Sequence, residues 1–443
     1  MTKSIKLALV AAMAMGATSA FATNGDNLIS TGAKARGMGG VGIATTFGAE
    51  SGLSNPALLS AVEKSEVAGS LTFFMPDVSF ASDAGSVAFG APTGLPTAGD
   101  SSADFSIIPE IAFAQRLDDN IVYGFSLTGT AGMGVDYTSN LQGTATDNGS
   151  FEMKTELQLL KVAIPVSYEL NGLSLGLAPI MQYGTLQMSH QTLAGPLASP
   201  KSSDTSFGYE IGATYDFKDA GVEGLTLGAV YKSKLEMTYD DTIATSTAAF
   251  GVDAAGGMPG AITSGDNLDQ PAEIGIGASY TMGESTIALD YRNVAWSDAA
   301  GYGDFGWEDQ DIVAIGYEYA TNDWALRVGY NHASSPIAEQ DGSANDPTGA
   351  TYVGAVKNFF NLAGFPGIVE SHYTIGGSYS INKDLTFDAA VVYAAEVTNE
   401  FDTTGMTQGI IQNLGGTPTG TEASSAEVTH SQLGVTVGLS YTF

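Results

Sequence analysis

Leu433, Val435, Val437, Leu439, Tyr441 and Phe443 alternate with Gly434, Thr436, Gly438, Ser440 and Thr442 at the end of the chain. A period of two places one set on each face of a β-strand. The same pattern recurs at Leu385, Phe387, Ala389, Val391, Tyr393, Ala395 and Val397, and again from Phe207 to Phe217 and from Trp324 to Tyr330. Fourteen such segments follow one another, at roughly 65–81, 102–116, 120–137, 154–170, 172–192, 204–218, 222–239, 268–283, 285–300, 307–321, 323–334, 368–382, 384–400 and 425–443. Short turns alternate with mostly longer loops between them. A soluble β-sandwich also alternates, but its strands average about 5–6 residues and its turns are not sorted by length. An even number of long strands, short turns at one end, long loops at the other and paired aromatics such as Tyr317/Tyr319 predict an all-β fold, a fourteen-stranded antiparallel transmembrane barrel.

Three stretches partition the chain. Residues 1–22 read as an export signal: Lys3 and Lys6, an apolar run from Leu7 to about Ala17, and Ala20-Phe21-Ala22 as the cleavage site. Residues 23–64 break the alternation and are rich in glycine. Asn55 suits a helix N-cap and Pro56 the first helical position, ahead of Ala57 to Val62. This stretch is too short to build its own core, so it is expected to plug the lumen as a hatch. Residues 65–443 form the barrel, and terminal Phe443 resembles the signal read by the barrel-assembly machinery. These features place the protein in the outer membrane of a Gram-negative cell, as a multi-pass monomer among outer-membrane lipid and lipopolysaccharide.

Composition narrows the chemistry. With 16 basic and 48 acidic residues the formal net charge is −32, so no nucleic-acid partner is expected, because phosphate binding needs a basic face. No cysteine is present, which removes disulfides, thiolate ligands and thiol nucleophiles. Histidines 190, 332, 372 and 430 lack ligand spacing. No metal site, cofactor or catalytic residue is expected. Gly37-Met38-Gly39-Gly40-Val41-Gly42 matches G-x-G-x-x-G but lacks the strand and helix that a dinucleotide site needs.

Gly32 to Val41, then Asn55-Pro56-Ala57, Pro271-Ala272-Glu273, Asp290-Tyr291-Arg292, Asp304-Phe305-Gly306-Trp307 and Leu326 to Asn331 resemble, in order, the FadL family of outer-membrane transporters for hydrophobic compounds. The resemblance implies a barrel closed by an N-terminal hatch carrying the Asn55-Pro56-Ala57 motif, and passive transport of a hydrophobic small molecule, long-chain fatty acids foremost. It also implies an external apolar groove, a lumenal site and lateral exit at an inward kink in the third strand. A general aqueous porin and a surface adhesin or phage receptor are the alternatives.

Candidate sites follow from that expectation. Gly129, Gly132 and Gly134 interrupt the third strand, as a kink or as an ordinary strand end. Val353, Val356, Phe359, Phe360, Leu362 and Phe365 form an apolar cluster in the loop 335–367, either a landing surface for the substrate or the loop's own packing. Alternation points Lys161, Lys232, Lys234, Arg292 and Arg327 inward, with Glu110, Glu210, Asp290, Asp388 and Glu396 as inward acids. Lys161, Arg292 and Arg327 are the candidates to meet a substrate head group; pairing with an inward acid is the competing role. Acidic loops serve solvation or bridge to lipopolysaccharide through divalent cations.

Overall fold

In the computed structural model, which describes residues 23–90, 97–138, 141–343 and 349–443, the alternating segments become barrel strands. The expected export signal lies outside the described residues. The strands are β1 (Glu66–Ser82), β2 (Ser106–Arg116), β3 (Ile121–Asp136), β4 (Met153–Ala163, resumed at Val166–Leu170), β5 (Leu173–Thr192), β6 (Ser202–Asp216) and β7 (Leu225–Lys232). They continue as β8 (Glu273–Met282), β9 (Ser285–Val294), β10 (Gln310–Ala320), β11 (Trp324–Ala333), β12 (Ser371–Ser380), β13 (Leu385–Asp402) and β14 (Ser425–Thr442). Each pairs antiparallel with the next, and β14 closes the ring on β1, with Val437 opposite Leu71.

The period of two decides the faces. Leu177, Ile276, Leu326 and Ile375 point outward and stay 50–58% exposed. An apolar belt of this extent suits hydrocarbon and not water. No described helix is long and apolar enough to cross a membrane.

Four departures from simple alternation matter. β4 breaks at Ile164-Pro165, because proline has no N–H for the ladder. The expected strands 222–239 and 268–283 are shorter. Beyond Lys232 only the isolated bridges Leu235–Gln270 and Thr238–Asn267 continue the pairing, and Leu235, Met237 and Tyr239 fold into the lumen. β2 starts at Ser106 and not at 102. In β13 a register shift between Ala394 and Val397 turns Glu396 outward, correcting its expected inward position: a bulge inserts a residue and reverses the faces beyond it.

Residues 24–62 lie within the ring of strands and are mostly buried. They form α1 (Ala33–Gly37) and two 3-10 turns, Gly48–Leu53 and Pro56–Ala61. Asn55 caps the second turn as expected: its Oδ1 accepts from the Ala57 N–H at 3.1 Å. Its Nδ2 donates to Ile43 O at 2.8 Å and to Ala229 O of β7 at 3.3 Å. One side chain thus ties cap, segment and wall together. The segment lies directly on wall backbone. Gly39 has φ +73°, and a Cβ there would stand 2.8 Å from Ile315 O and Tyr330 N. Glycine alone meets both demands.

A second filling occupies the other end of the lumen. There α2 (Ala350–Gly364) and α3 (Thr404–Asn413) pack with the long loops into one apolar core containing Phe80, Tyr137, Met153, Phe250, Trp296 and Trp307.

Candidate functional site

Between the N-terminal segment and the wall from β4 to β9 lies a cavity of about 100 Å3. Its charged lining comes from inward positions that alternation dictates: Lys161, Glu210, Lys232, Glu273, Asp290 and Arg292. Register brings them together. Lys232 and Glu273 are direct cross-strand partners, with Nζ 3.0 Å from Oε1. Lys161 reaches across β5 to Glu210 Oε1 at 3.1 Å. Asp290 Oδ2 accepts from the N–H groups of Gly42 and Ile43 at 2.7 and 2.9 Å. Arg292 donates from Nη2 to Ile29 O at 3.1 Å. Three cations therefore face three carboxylates, and the wall holds the segment through both Asp290 and Arg292.

Of the three head-group candidates, Lys161 and Arg292 line this cavity. Arg327 does not. It is bonded to Glu318 on β10 at 2.6 Å and to Ser378 on β12 at 2.6 Å. This is the competing role expected for it, because a cation near two flanking strands reaches their polar groups first. Lys234 lies past the end of β7 and pairs with Asp269 at 3.3 Å.

The wall is interrupted beside the cavity. β2 and β3 pair as far as Glu110–Thr128. A register shift follows between Gly129 and Ala131 against β4. The next link of β3 to the β2 side is Ser102 N to Asp136 O, at 2.9 Å. In between, β3 bonds to the N-terminal segment instead: Ala131 pairs with Asn27, and Gly132 N donates to Asp26 O at 3.3 Å. Gly129, Gly132 and Gly134 all fall in this stretch. Gly129 faces Ile108, whose Cγ2 would lie 2.8 Å from a Cβ there. Thr130, at the bulge, lines the cavity, so cavity and interruption adjoin.

Three charged residues of the N-terminal segment, Arg36, Asp26 and Glu50, were not singled out from sequence. Arg36 forms a two-pronged ion pair with Glu110, Nη2 to Oε1 at 2.6 Å and Nη1 to Oε2 at 3.0 Å. Gly32 N and Ser70 Oγ add to the same carboxylate at 3.0 and 2.7 Å. The available signal was a lone arginine in a glycine-rich stretch opposite an inward acid. Asp26 accepts from the Tyr302 hydroxyl and from Gln270 Nε2 at 3.2 Å. Burial pushes its carboxyl up to about 6, against the pull of these two hydrogen bonds. Glu50 is likewise pushed up to about 7 by burial, with Lys34 opposing. No sequence signal marked either acid.

The apolar cluster is buried. Val353, Val356, Phe359, Phe360, Leu362 and Phe365 belong to α2 and its end, and each is at most 6% exposed. They form no open landing surface. Spacings of three and four put them on a helix that the barrel and loops cover on most of its circumference, with Tyr352 and Lys357 half-buried. Phe359 packs against Phe80 and Phe151, and Phe360 against Phe250 and Phe305.

Residues 8–356 match the family of outer membrane protein transport proteins (OMPP1/FadL/TodX). The chain belongs to this family. As a FadL/TodX member it is an outer-membrane transport barrel for hydrophobic compounds and not an enzyme. The long-chain fatty acid transport protein of Salmonella typhi is 23% identical over 378 residues, covering 76% of this chain and 80% of the relative. The long-chain fatty acid transport protein of Escherichia coli K12 is 22% identical, with the same coverage. Among solved structures, a FadL homologue of Pseudomonas aeruginosa superposes with TM-score 0.65 at 18% identity, covering 95% of this chain and 100% of that one. The toluene transporter TodX of Pseudomonas putida gives 0.62 at 19% identity, with the same coverage. At these identities the structural likeness concerns the fold.

Proposed function

We propose that this FadL/TodX member carries hydrophobic small molecules, long-chain fatty acids foremost, passively across the outer membrane by lateral exit. The supporting observation is that the cavity and the β2–β3 interruption share Thr130. A hydrophobic guest gains nothing by entering the periplasm, where its apolar surface meets water again. Leaving through the wall delivers it to the membrane interior. Lipid-facing backbone groups cost several kcal/mol each when unpaired, so exit belongs where β2 and β3 are already unladdered. Residues 23–64 act as the hatch, and the apolar core around α2 receives the guest by repacking. A porin reading fits less well, because protein fills both ends of the lumen. The chain works as a monomer among lipid and lipopolysaccharide, delivered by the barrel-assembly machinery.

The test is uptake of labelled long-chain fatty acid into outer-membrane vesicles with no energy source, beside ion conductance in planar bilayers. Transport with little steady conductance is expected. Steady porin-like conductance without fatty-acid uptake refutes the proposal.

A further inference from the structure

The charged cavity carries a second statement, which rests on the transport reading above. Lys161, Lys232 and Arg292 balance Glu210, Glu273 and Asp290, so the lining is formally neutral. Not all of its hydrogen-bonding capacity is used. Glu210 and Asp290 are each 1% exposed, and Glu210 Oε2 and Asp290 Oδ1 have no hydrogen-bond partner among the described residues. Arg292 Nε, a donor, has none either. Each lysine ammonium carries three N–H donors; Lys161 gives one to Glu210 Oε1, and Lys232 stands in an ion pair with Glu273 at 3.0 Å. Donors and acceptors without partners are thus gathered around one small, charge-balanced cavity.

We infer that this cavity holds its guest by an uncharged group that both donates and accepts hydrogen bonds: a hydroxyl, or a carboxyl in its undissociated form. A carboxylate would place a fourth negative charge beside three cations already matched in number by three carboxylates, and an uncompensated buried charge is strongly disfavoured. A plain hydrocarbon would leave the open donors and acceptors unmet. A hydroxyl or carboxylic acid meets both without upsetting the balance. Lys161 and Arg292 then act as members of a neutral set and not as free cations awaiting an anion.

The experiment uses the full-length protein in nanodiscs and competes a fluorescent alkanol probe with 1-decanol, decanoic acid and decanesulfonate, which stays anionic. Decanol is expected to bind at least about tenfold more tightly than decanesulfonate. The apparent affinity of decanoic acid should fall about tenfold per pH unit above its own pKa, as the undissociated fraction falls. Glu210→Gln leaves the lining net positive. It should raise decanesulfonate affinity at least about tenfold. Glu273→Gln is the second variant, and heat-modifiable gel migration checks that each barrel is folded. Wild-type decanesulfonate binding as tight as decanol, or a pH-independent decanoic acid affinity, overturns the inference. So does unchanged anion affinity in both folded variants. If wild-type protein binds none of the three and takes up no fatty acid, the transport reading itself fails.

Discussion

Arg36→Met should release the N-terminal segment from the wall while leaving the barrel intact. The Glu110 carboxylate receives both prongs of Arg36, and also the Gly32 N–H, the Ser70 hydroxyl and, at 3.2 Å, the Thr128 hydroxyl. Removing the guanidinium leaves a buried carboxylate with three neutral donors. Breaking a buried pair from one side costs about 3–5 kcal/mol, and the surviving donors place this case near the lower end. About 3 kcal/mol corresponds to roughly a hundredfold larger population of undocked segment, at 1.4 kcal/mol per tenfold. Glu110→Leu should cost more, because Arg36 keeps only Thr72 at 2.5 Å and Thr436 at 3.4 Å. The double variant removes both charges and should recover most of the loss. The readout is amide hydrogen exchange across Gly32–Gly40, with barrel melting as the control. Exchange near the wild-type rate in Arg36→Met, or a double variant as unprotected as the singles, would refute the argument.

Three further outcomes are expected. Deleting residues 23–64 should leave a folded barrel that leaks small polar solutes; unchanged permeability in a liposome-swelling assay would count against the hatch. Gly129→Val brings a branched side chain against Ile108 beside the break, so the barrel should form while fatty-acid uptake drops at least about tenfold; normal uptake would place the exit elsewhere. Asp26 stays protonated in the folded protein up to about pH 6, whereas its ordinary value is 3.8, so its contribution to docking is complete below that ordinary value and is lost as pH rises through 6. Asp26→Asn should lack this decline and protect the segment better than wild type at pH 7.5, as hydrogen exchange at the two pH values would show.

Legibility from sequence followed the range of the forces involved. Alternation is local, so the strands from Glu66–Ser82 to Ser425–Thr442 could be read directly, and Asn55-Pro56 announced its own cap. Facing is also local, which is why Lys161 and Arg292 were placed inward. Partners are not local. Lys161 meets Glu210 only because β5 is interposed in one register, and alternation carries no register. The bulge that turns Glu396 outward leaves no mark in composition. The apolar run 353–365 did carry helical spacing, but a run of hydrophobic side chains inside a long loop gives no sign of what covers it. Glycine excess set residues 23–64 apart from the strands. It did not show that Gly39 would lie against β10 and β11.

The order of the two lumenal fillings bears on why passive transfer can finish. The apolar core around Phe359 and Phe360 reaches the break in the wall through Met133 and Val135, and on the proposed route a guest held by apolar contacts alone would meet the same surroundings all the way, so tight uniform binding would slow its release. The charged cavity, which adjoins the break at Thr130, sets a polar station beside that route. Its volume of about 100 Å3 is room for a head group or several waters, not for a long chain. A guest anchored there must keep its tail either in the apolar core or out through the gap beside Thr130, where lipid solvates it equally well. On the proposed route the polar station thus weakens the hold on the tail at the point where the bilayer becomes available, and the concentration difference alone sets the direction of flow.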